Sequence, residues 1–199
     1  IRLLNNIEAV SMVVEENVHL QNGDYKTNAV IKGVDDFYSK VSGVPERVLN
    51  GKFETGTDEH PKLVLGSGIE NALSLLSDRA LTPVTAYIPK KGVEFSDNPM
   101  DAISTVNLHP AGSFSIQQDF DNNYAITNID FVKQQMNFAA DEYSAMEIKL
   151  KGGEDVADAR NDLQQLLPAG FSVQSRYEQN TSLYNTMRLE KWAIFAVLT

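Results

Sequence analysis

The chain has no cysteine, which excludes a disulfide framework, a thiolate zinc site and a cysteine nucleophile while leaving the compartment open. Cations are scarce: 17 Lys and Arg stand against 27 Asp and Glu, for a formal net charge of -10 and a pI near 4.7. Phosphate recognition needs clustered Lys and Arg, so no nucleic-acid partner is expected. Low-complexity tracts are missing too, and a composition of 42% hydrophobic and 22% charged residues excludes long disorder. At 199 residues the chain suffices for one large domain or two small ones around a buried core. No secretory leader and no initiator Met precede Ile1, and the expectation is a domain cut from a longer protein at both ends.

Catalytic signatures are likewise absent. There is no phosphate loop of the GxxxxGK[ST] type, since Gly51-Lys52 is followed by Phe53. Gly66-Ser67-Gly68 lies between an apolar strand and a helix, but Asn71 takes the place of a third dinucleotide-loop glycine, and a tight strand-to-helix turn accounts for the pair. Asp119, Asp121 and Asn123 sit at calcium-loop positions 1, 3 and 5. Tyr124 replaces the turn glycine and Asp130 the bidentate Glu, so a polar hairpin turn is expected there. His19, His60 and His109 fall in separate elements without an HxxxH pair. Ser67 lacks the flanks of a nucleophile elbow. The acidic pairs Glu15-Glu16 and Asp35-Asp36 suit solvated strand and turn ends. The expectation is therefore no catalytic residue, no cofactor and no metal: the chain is not read as an enzyme.

Periodicity predicts an α+β fold. A helical start over 1–7 precedes a strand over 9–20, with Met12, Val14, Val18 and Leu20 on one face, and a turn at 21–24 leads to a second strand over 25–34. A short helical segment follows from Asp35 to Gly43, with Pro45 beyond. The middle block, 51–142, is expected to be mostly β. It has strands over 62–65, 84–88 and 105–115, a helix from Ile69 to Leu76, two strands around 119–123, and a helix over 130–136. The last block alternates again. A half-buried strand over 144–151 directs Met146, Ile148 and Leu150 one way and Glu147, Lys149 and Lys151 the other. A helix with Val156, Leu163, Leu166 and Leu167 on its stripe ends at Pro168, a strand covers 171–176, and a long helix runs from Tyr177 to the end.

Two segments draw functional readings. The segment 136–143 separates a helix from a strand and sets aromatics among acidic and small residues, so Asn137, Phe138, Asp141, Glu142 and Tyr143 are candidate partner-binding residues; anchoring of Phe138 and Tyr143 on the core is the alternative. At the other, the polar face vanishes after Lys191, and residues 192–198 are wholly apolar with no cap. That run falls short of the about 20 residues that cross a bilayer, and either a docked helix or the first turns of a membrane span fits it. Arg188, Glu190, Lys191 and Trp192 form the candidate membrane junction, with an indole and an ammonium suited to the headgroup level.

Arg188-Leu189-Glu190-Lys191-Trp192, after Asn180, Leu183 and Tyr184, resembles the run into the second membrane helix of lipoprotein-releasing ABC permeases of the LolC/LolE type. Leu63 to Ile69 with Leu73, Gly112-Ser113-Phe114 with Asp121, Tyr124 and Ile126, and Ala145 to Leu150 are similar to further segments of that family, in the same order. The resemblance implies the periplasmic core domain shared by MacB-like and FtsX-like permeases. Its fold would be a split βαβ-type alpha/beta (Porter-like) subdomain, 1–50 and 143–187, with an inserted mostly-beta (Sabre-like) subdomain, 51–142, and the start of a transmembrane helix at 188–199. Also implied are an inner-membrane protein with this part periplasmic, an ATP-binding subunit and a second permease subunit as partners, and motion handed through the terminal helix to the membrane. In the LolC branch a protruding hook recruits a periplasmic lipoprotein chaperone; the segment 136–143 lies in roughly that region but lacks its prolines. MacB-type efflux and FtsX-type regulation of wall hydrolases stay open. So do a freestanding small-molecule or protein binding module, which needs a deep apolar pocket, and a hydrolase assembled from distant residues.

Overall fold

The computed structural model describes residues 6–92, 99–168, 170–175 and 178. Strand β1 (Ile7–Asn22) turns through Gly23 and Asp24 into β2 (Tyr25–Val34), and the pairing runs from Asn22 opposite Tyr25 to Val13 opposite Val34. Gly23 has φ +58, the left-handed conformation that a two-residue hairpin loop demands and that glycine adopts without a side-chain penalty. Helix α1 (Tyr38–Val41) and a 3-10 turn (Val44–Arg47) follow, then β3 (Val48–Gly51), β4 (Lys62–Gly66), α2 (Ser67–Ala72), β5 (Val84–Pro89) and β6 (Ile103–Phe114). The order continues with α3 (Gln118–Asn123), β7 (Tyr124–Asn128), α4 (Ile129–Met136), β8 (Ala145–Leu150) and α5 (Val156–Leu166).

The pairings close on themselves. β1 pairs with β2, β2 with β7, β7 with β4, β4 with β6, β6 with β5, and β5 with β1 again. Only β2–β7 and β4–β6 are parallel. Closure gives each ring strand a partner on both sides, which removes the exposed edges of an open sheet. β3 adds to β6, and β8 adds to β1 beyond the ring.

Alternation along the strands divides the core in two. Val14, Val18, Leu20, Ile31, Leu63, Leu65, Ala86, Ile88 and Leu108 fill one side with Ile69 of α2 and Val132 and Met136 of α4. Val13, Val34, Val64, Phe114, Tyr124 and Ile126 face the other way and pack with Tyr38 and Val44. Gly33 sits where a Cβ would lie 3.0 Å from the Ile129 backbone, so its absent side chain lets α4 approach β2. The described residues divide into two compact units, those within Ala9–Lys149 and those within Ile1–Glu8 and Leu150–Thr199.

The hairpin, the strands at 62–65, 84–88 and 105–115, the last helix of the middle block and the helix before Pro168 form as the sequence suggests. Several expectations are corrected. Ile7 opens β1 rather than closing a helix, and the rest of that helical start lies outside the described residues. α2 begins at Ser67 and ends at Ala72, short of Leu76, which is exposed. The Glu70 carboxylate accepts the Ser77 N–H at 2.7 Å and Ser74 takes φ +49, so the chain folds back instead of continuing the helix. The polar run at 119–123 is helix α3, not a hairpin turn, because β6 and β7 are not neighbours: β4 lies between them. Asp121 is buried there and accepts Ser115 Oγ at 2.8 Å and the Ile116 N–H at 2.8 Å. In α5 only Leu163 of the expected stripe is buried, joined by Ala159, while Val156 and Leu166 are exposed. Residues 171–175 form no strand. Gln164 and Arg160 occupy their backbone instead, Gln164 bonding Phe171 O and the Val173 N–H, and Arg160 donating to Val173 O. Of the long terminal helix only Glu178 is described.

Candidate functional site

The segment after α4 is a tightly tied loop. Asn137 caps the helix in the left-handed conformation, φ +63, and the Phe138 N–H donates to Lys133 O at 2.9 Å. This is the common way a helix satisfies its last carbonyls and changes direction. Two lysines then hold the loop from beneath. Lys133, itself buried, donates from Nζ to Ala140 O and lies 3.9 Å from the centre of the Tyr143 ring. Lys91 pairs with Glu142 and lies 4.9 Å from the Phe138 ring centre. The hydrogen bond from Lys91, with the Ala139 N–H, holds the Glu142 carboxyl below its ordinary range.

The five candidate residues thus divide by role. Phe138 packs against the core cluster and Glu142 is spent on Lys91, whereas Asn137, Asp141 and Tyr143 are exposed. Of the two aromatics whose anchoring on the core was the alternative, Phe138 anchors and Tyr143 faces solvent. The two lysine contacts fix the loop that carries the exposed Asp141 and Tyr143. Arg188, Glu190, Lys191 and Trp192 lie outside the described residues.

A second polar centre escaped the sequence reading. Lys32, in β2, is 5% exposed and sits opposite Glu15 of β1. Its ammonium pairs with Glu15 at 2.8 Å and with Glu147 of β8. It also lies 5.7 Å from the Tyr38 ring centre and 5.6 Å from that of Tyr124. Burial acts to lower the Lys32 pKa, but Glu147 and Glu15 outweigh it and hold the group above its ordinary range. Burial pushes the Tyr124 phenol up to about 12 and raises Tyr38 as well, with Lys32 opposing in both. Glu147, on the charged side of the strand expected over 144–151, therefore faces a buried cation. The arrangement pairs a buried cation with two carboxylates and so ties β8 and β2 to β1.

The remaining sequence motifs resolve into packing. A Cβ on Gly66 would lie 2.1 Å from Asp121 O, and one on Gly68 would lie 1.9 Å from Asn122 Oδ1, so these glycines let α2 and α3 touch. Asp35 accepts Ser11 Oγ at 2.7 Å and the Met12 N–H at 2.9 Å, latching the start of the hairpin; it is not a solvated turn end. Among the described residues no group of three His, Asp or Glu is arranged to hold a metal ion. No helix among them is long and apolar enough to cross a membrane.

No family model and no curated protein sequence matches the chain. Solved structures share its fold, among them the following two. The periplasmic region of MacB from Actinobacillus actinomycetemcomitans is similar over 82% of this chain and 67% of its own, with 14% identity and a TM-score of 0.54. The extracellular domain of the noncanonic ABC-type transporter YknZ from Gram-positive bacteria is similar over 87% of this chain and 84% of its own, with 9% identity and a TM-score of 0.55.

Proposed function

We propose that the chain is the extracytoplasmic domain of an ABC-transporter permease, working with an ATP-binding subunit and a second permease subunit. The observation that carries this reading is the fold it shares, over 82% and 87% of its length, with the extracytoplasmic parts of MacB and YknZ. In this reading the domain binds no nucleotide and performs no chemistry; it passes motion between a partner outside the membrane and helices in the inner membrane. Residues 188–199 would open the membrane span, with Arg188, Glu190, Lys191 and Trp192 at the junction. Residues 1–50 with 143–187 would act as the Porter-like part and 51–142 as the Sabre-like part.

The cargo we assign is a lipoprotein, released or exported with help from a periplasmic carrier. The pre-organised loop with exposed Asn137, Asp141 and Tyr143 supports a partner contact at that place. The second reading is MacB-type efflux, which the same shared fold would serve.

A reporter placed between Gly23 and Asp24 in the full-length protein tests the core of the proposal. Alkaline phosphatase inserted in this exposed turn should be active and β-galactosidase inactive; the reverse pattern would overturn an extracytoplasmic location. A photo-crosslinker at Tyr143 should capture a lipoprotein carrier in cells. Capture at a control position such as Lys40, and none at Tyr143, would sink the assignment of the loop.

A further inference from the structure

Two strands lie outside the ring, and their outer edges differ. β3 is four residues long, its register to β6 shifts between Val48 and Asn50, and Gly51 takes φ +69. Short, irregular edges of this kind resist pairing with another chain. β8 is six residues long, contains no glycine or proline, and among the described residues has β1 as its one neighbour. Ala145, Met146 and Lys149 are exposed, Met146 at 39%. Ser144, just before the strand, donates its N–H to Val13 O at 3.0 Å. Alternate backbone groups along β8 therefore point away from β1, toward the outer edge.

An open edge alone names no occupant, but the residues of β8 do. Met146-Glu147-Ile148-Lys149-Leu150 is its own complement when a second copy runs antiparallel to it with Ile148 opposite Ile148. In that register Glu147 of each copy stands opposite Lys149 of the other, and Met146 stands opposite Leu150. Because side chains alternate, both ion pairs fall on one face of the joined sheet and the three apolar pairs on the other. A two-fold axis at Ile148 generates all five contacts, the isologous arrangement of a symmetric dimer. The register is specific. A shift by one residue sets Glu147 opposite Ile148 and loses both ion pairs, and a shift by two sets like charges opposite each other.

A lysine on an edge strand ordinarily guards it against such pairing. Here the carboxylate that would meet Lys149 is carried by the same strand. Glu147 gives Oε1 to Lys32, and a carboxylate has a second oxygen to offer. An unrelated strand would match this charge order only by coincidence, whereas a second copy always matches it.

We propose that two copies of this chain join edge to edge through β8, antiparallel and centred on Ile148. The proposal rests on strand pairing and charge order, independently of the transporter reading. Five paired residues on each copy fall short of the about 20 a side found in stable complexes, so the contact is weak and is best read by trapping it.

The absence of cysteine makes the trap clean. Ile148→Cys should form a disulfide dimer under mild oxidation at millimolar protein, because the two Cα atoms would lie about 5 Å apart, within disulfide reach. Met146→Cys should dimerise at least about tenfold more slowly, since its two copies would lie about 14 Å apart. Mixing Met146→Cys with Leu150→Cys should restore rapid cross-linking between the two variants, and it reads the same register should Ile148→Cys lose its fold. Lys149→Glu added to Ile148→Cys should slow the reaction about fivefold by setting carboxylates opposite each other. No dimer from a folded Ile148→Cys chain would overturn the proposal. So would equal rates for Ile148→Cys and Met146→Cys, a mixed pair no faster than either variant alone, or a rate indifferent to Lys149→Glu. A reporter at Gly23 that indicated a cytoplasmic location would remove the transporter reading and leave this one standing.

Discussion

Lys32 donates its ammonium to Glu147 across 115 positions of sequence, joining the second strand of the chain to the last strand of its sheet. With Glu15 on the other side, the contact clasps β8 and β2 onto β1. The cation is buried, and its two carboxylates are partly exposed, with side-chain exposures of 31% for Glu15 and 26% for Glu147.

Replacing Lys32 with Met removes the shared cation and leaves two carboxylates facing each other. The expected loss is about 3 kcal/mol, below the upper range for breaking a fully buried pair because water reaches both acids. Combining Lys32→Met with Glu147→Leu should recover more than half of that loss, since an apolar pair of similar volume replaces the ion pair. Urea denaturation of the singles and the double measures the coupling. A double variant as unstable as the sum of its parts would show that the two residues act separately.

The same centre sets an alkaline limit. Lys32, Tyr38 and Tyr124 all hold their protons more tightly folded than unfolded, Tyr124 up to about 12. Unfolded phenols and amines begin to release protons at about pH 10. Above that point the unfolded state binds fewer protons than the native one, so stability is full below pH 10 and falls as pH rises toward 12. The fall in urea midpoint between pH 8 and pH 11 should be smaller for Tyr124→Phe than for the parent chain. An unchanged fall would remove Tyr124 from the alkaline transition.

Local signals in the sequence placed the hairpin, because Gly23 and Asp24 between alternating strands dictate a tight turn. They placed α4 as well, since the Asn128 cap and the buried stripe are both short-range features. Ring closure was out of reach. It depends on the parallel partners β2 with β7 and β4 with β6, which pair residues far apart in the chain. The clasp was hidden for a related reason: a charge at every second strand position looks the same whether it meets water or a buried partner. Only the fold reveals that Glu147 faces Lys32. Asp121 was misplaced because short polar spacing serves hairpin turns and small helices equally well. In the segment 136–143 the sequence could not separate the anchor Phe138 from the exposed Tyr143, because an aromatic beside small and acidic residues reads the same in either place.

Gly66→Ala should be among the most damaging small substitutions. Its Cβ would meet the Asp121 carbonyl oxygen at 2.1 Å and the Asp121 carbonyl carbon at 2.7 Å, both backbone atoms that cannot swing away. A loss of about 3 kcal/mol is expected from the forced separation of α2 and α3. Gly152→Ala, where nothing lies within 4 Å and no positive φ is required, serves as the control and should change stability by less than about 0.5 kcal/mol. Similar thermal midpoints for the two variants would contradict the close approach.

The loop after α4 should respond to its two lysines in different ways. Lys91 and Glu142 form a solvent-facing pair, so Lys91→Ala should change global stability by less than about 1 kcal/mol. Its local effect should be larger, because the same ammonium also covers Phe138 and fixes the carboxylate that accepts from Ala139. Amide exchange across 139–143 should therefore speed up while the strands keep their protection. Acid should mimic the variant. The Glu142 carboxyl is held below its ordinary range by Lys91, so the tie is complete above the unfolded carboxylate pKa and is lost as pH falls through the depressed value. Lys133 is buried and bonds the Ala140 carbonyl, so Lys133→Met should loosen the loop at every pH and reduce the acid sensitivity that remains. Exchange rates at 139–143 that are indifferent to pH in the parent chain would show that Glu142 does not restrain the loop, and with it would fall the argument that Asp141 and Tyr143 are presented on a pre-organised surface.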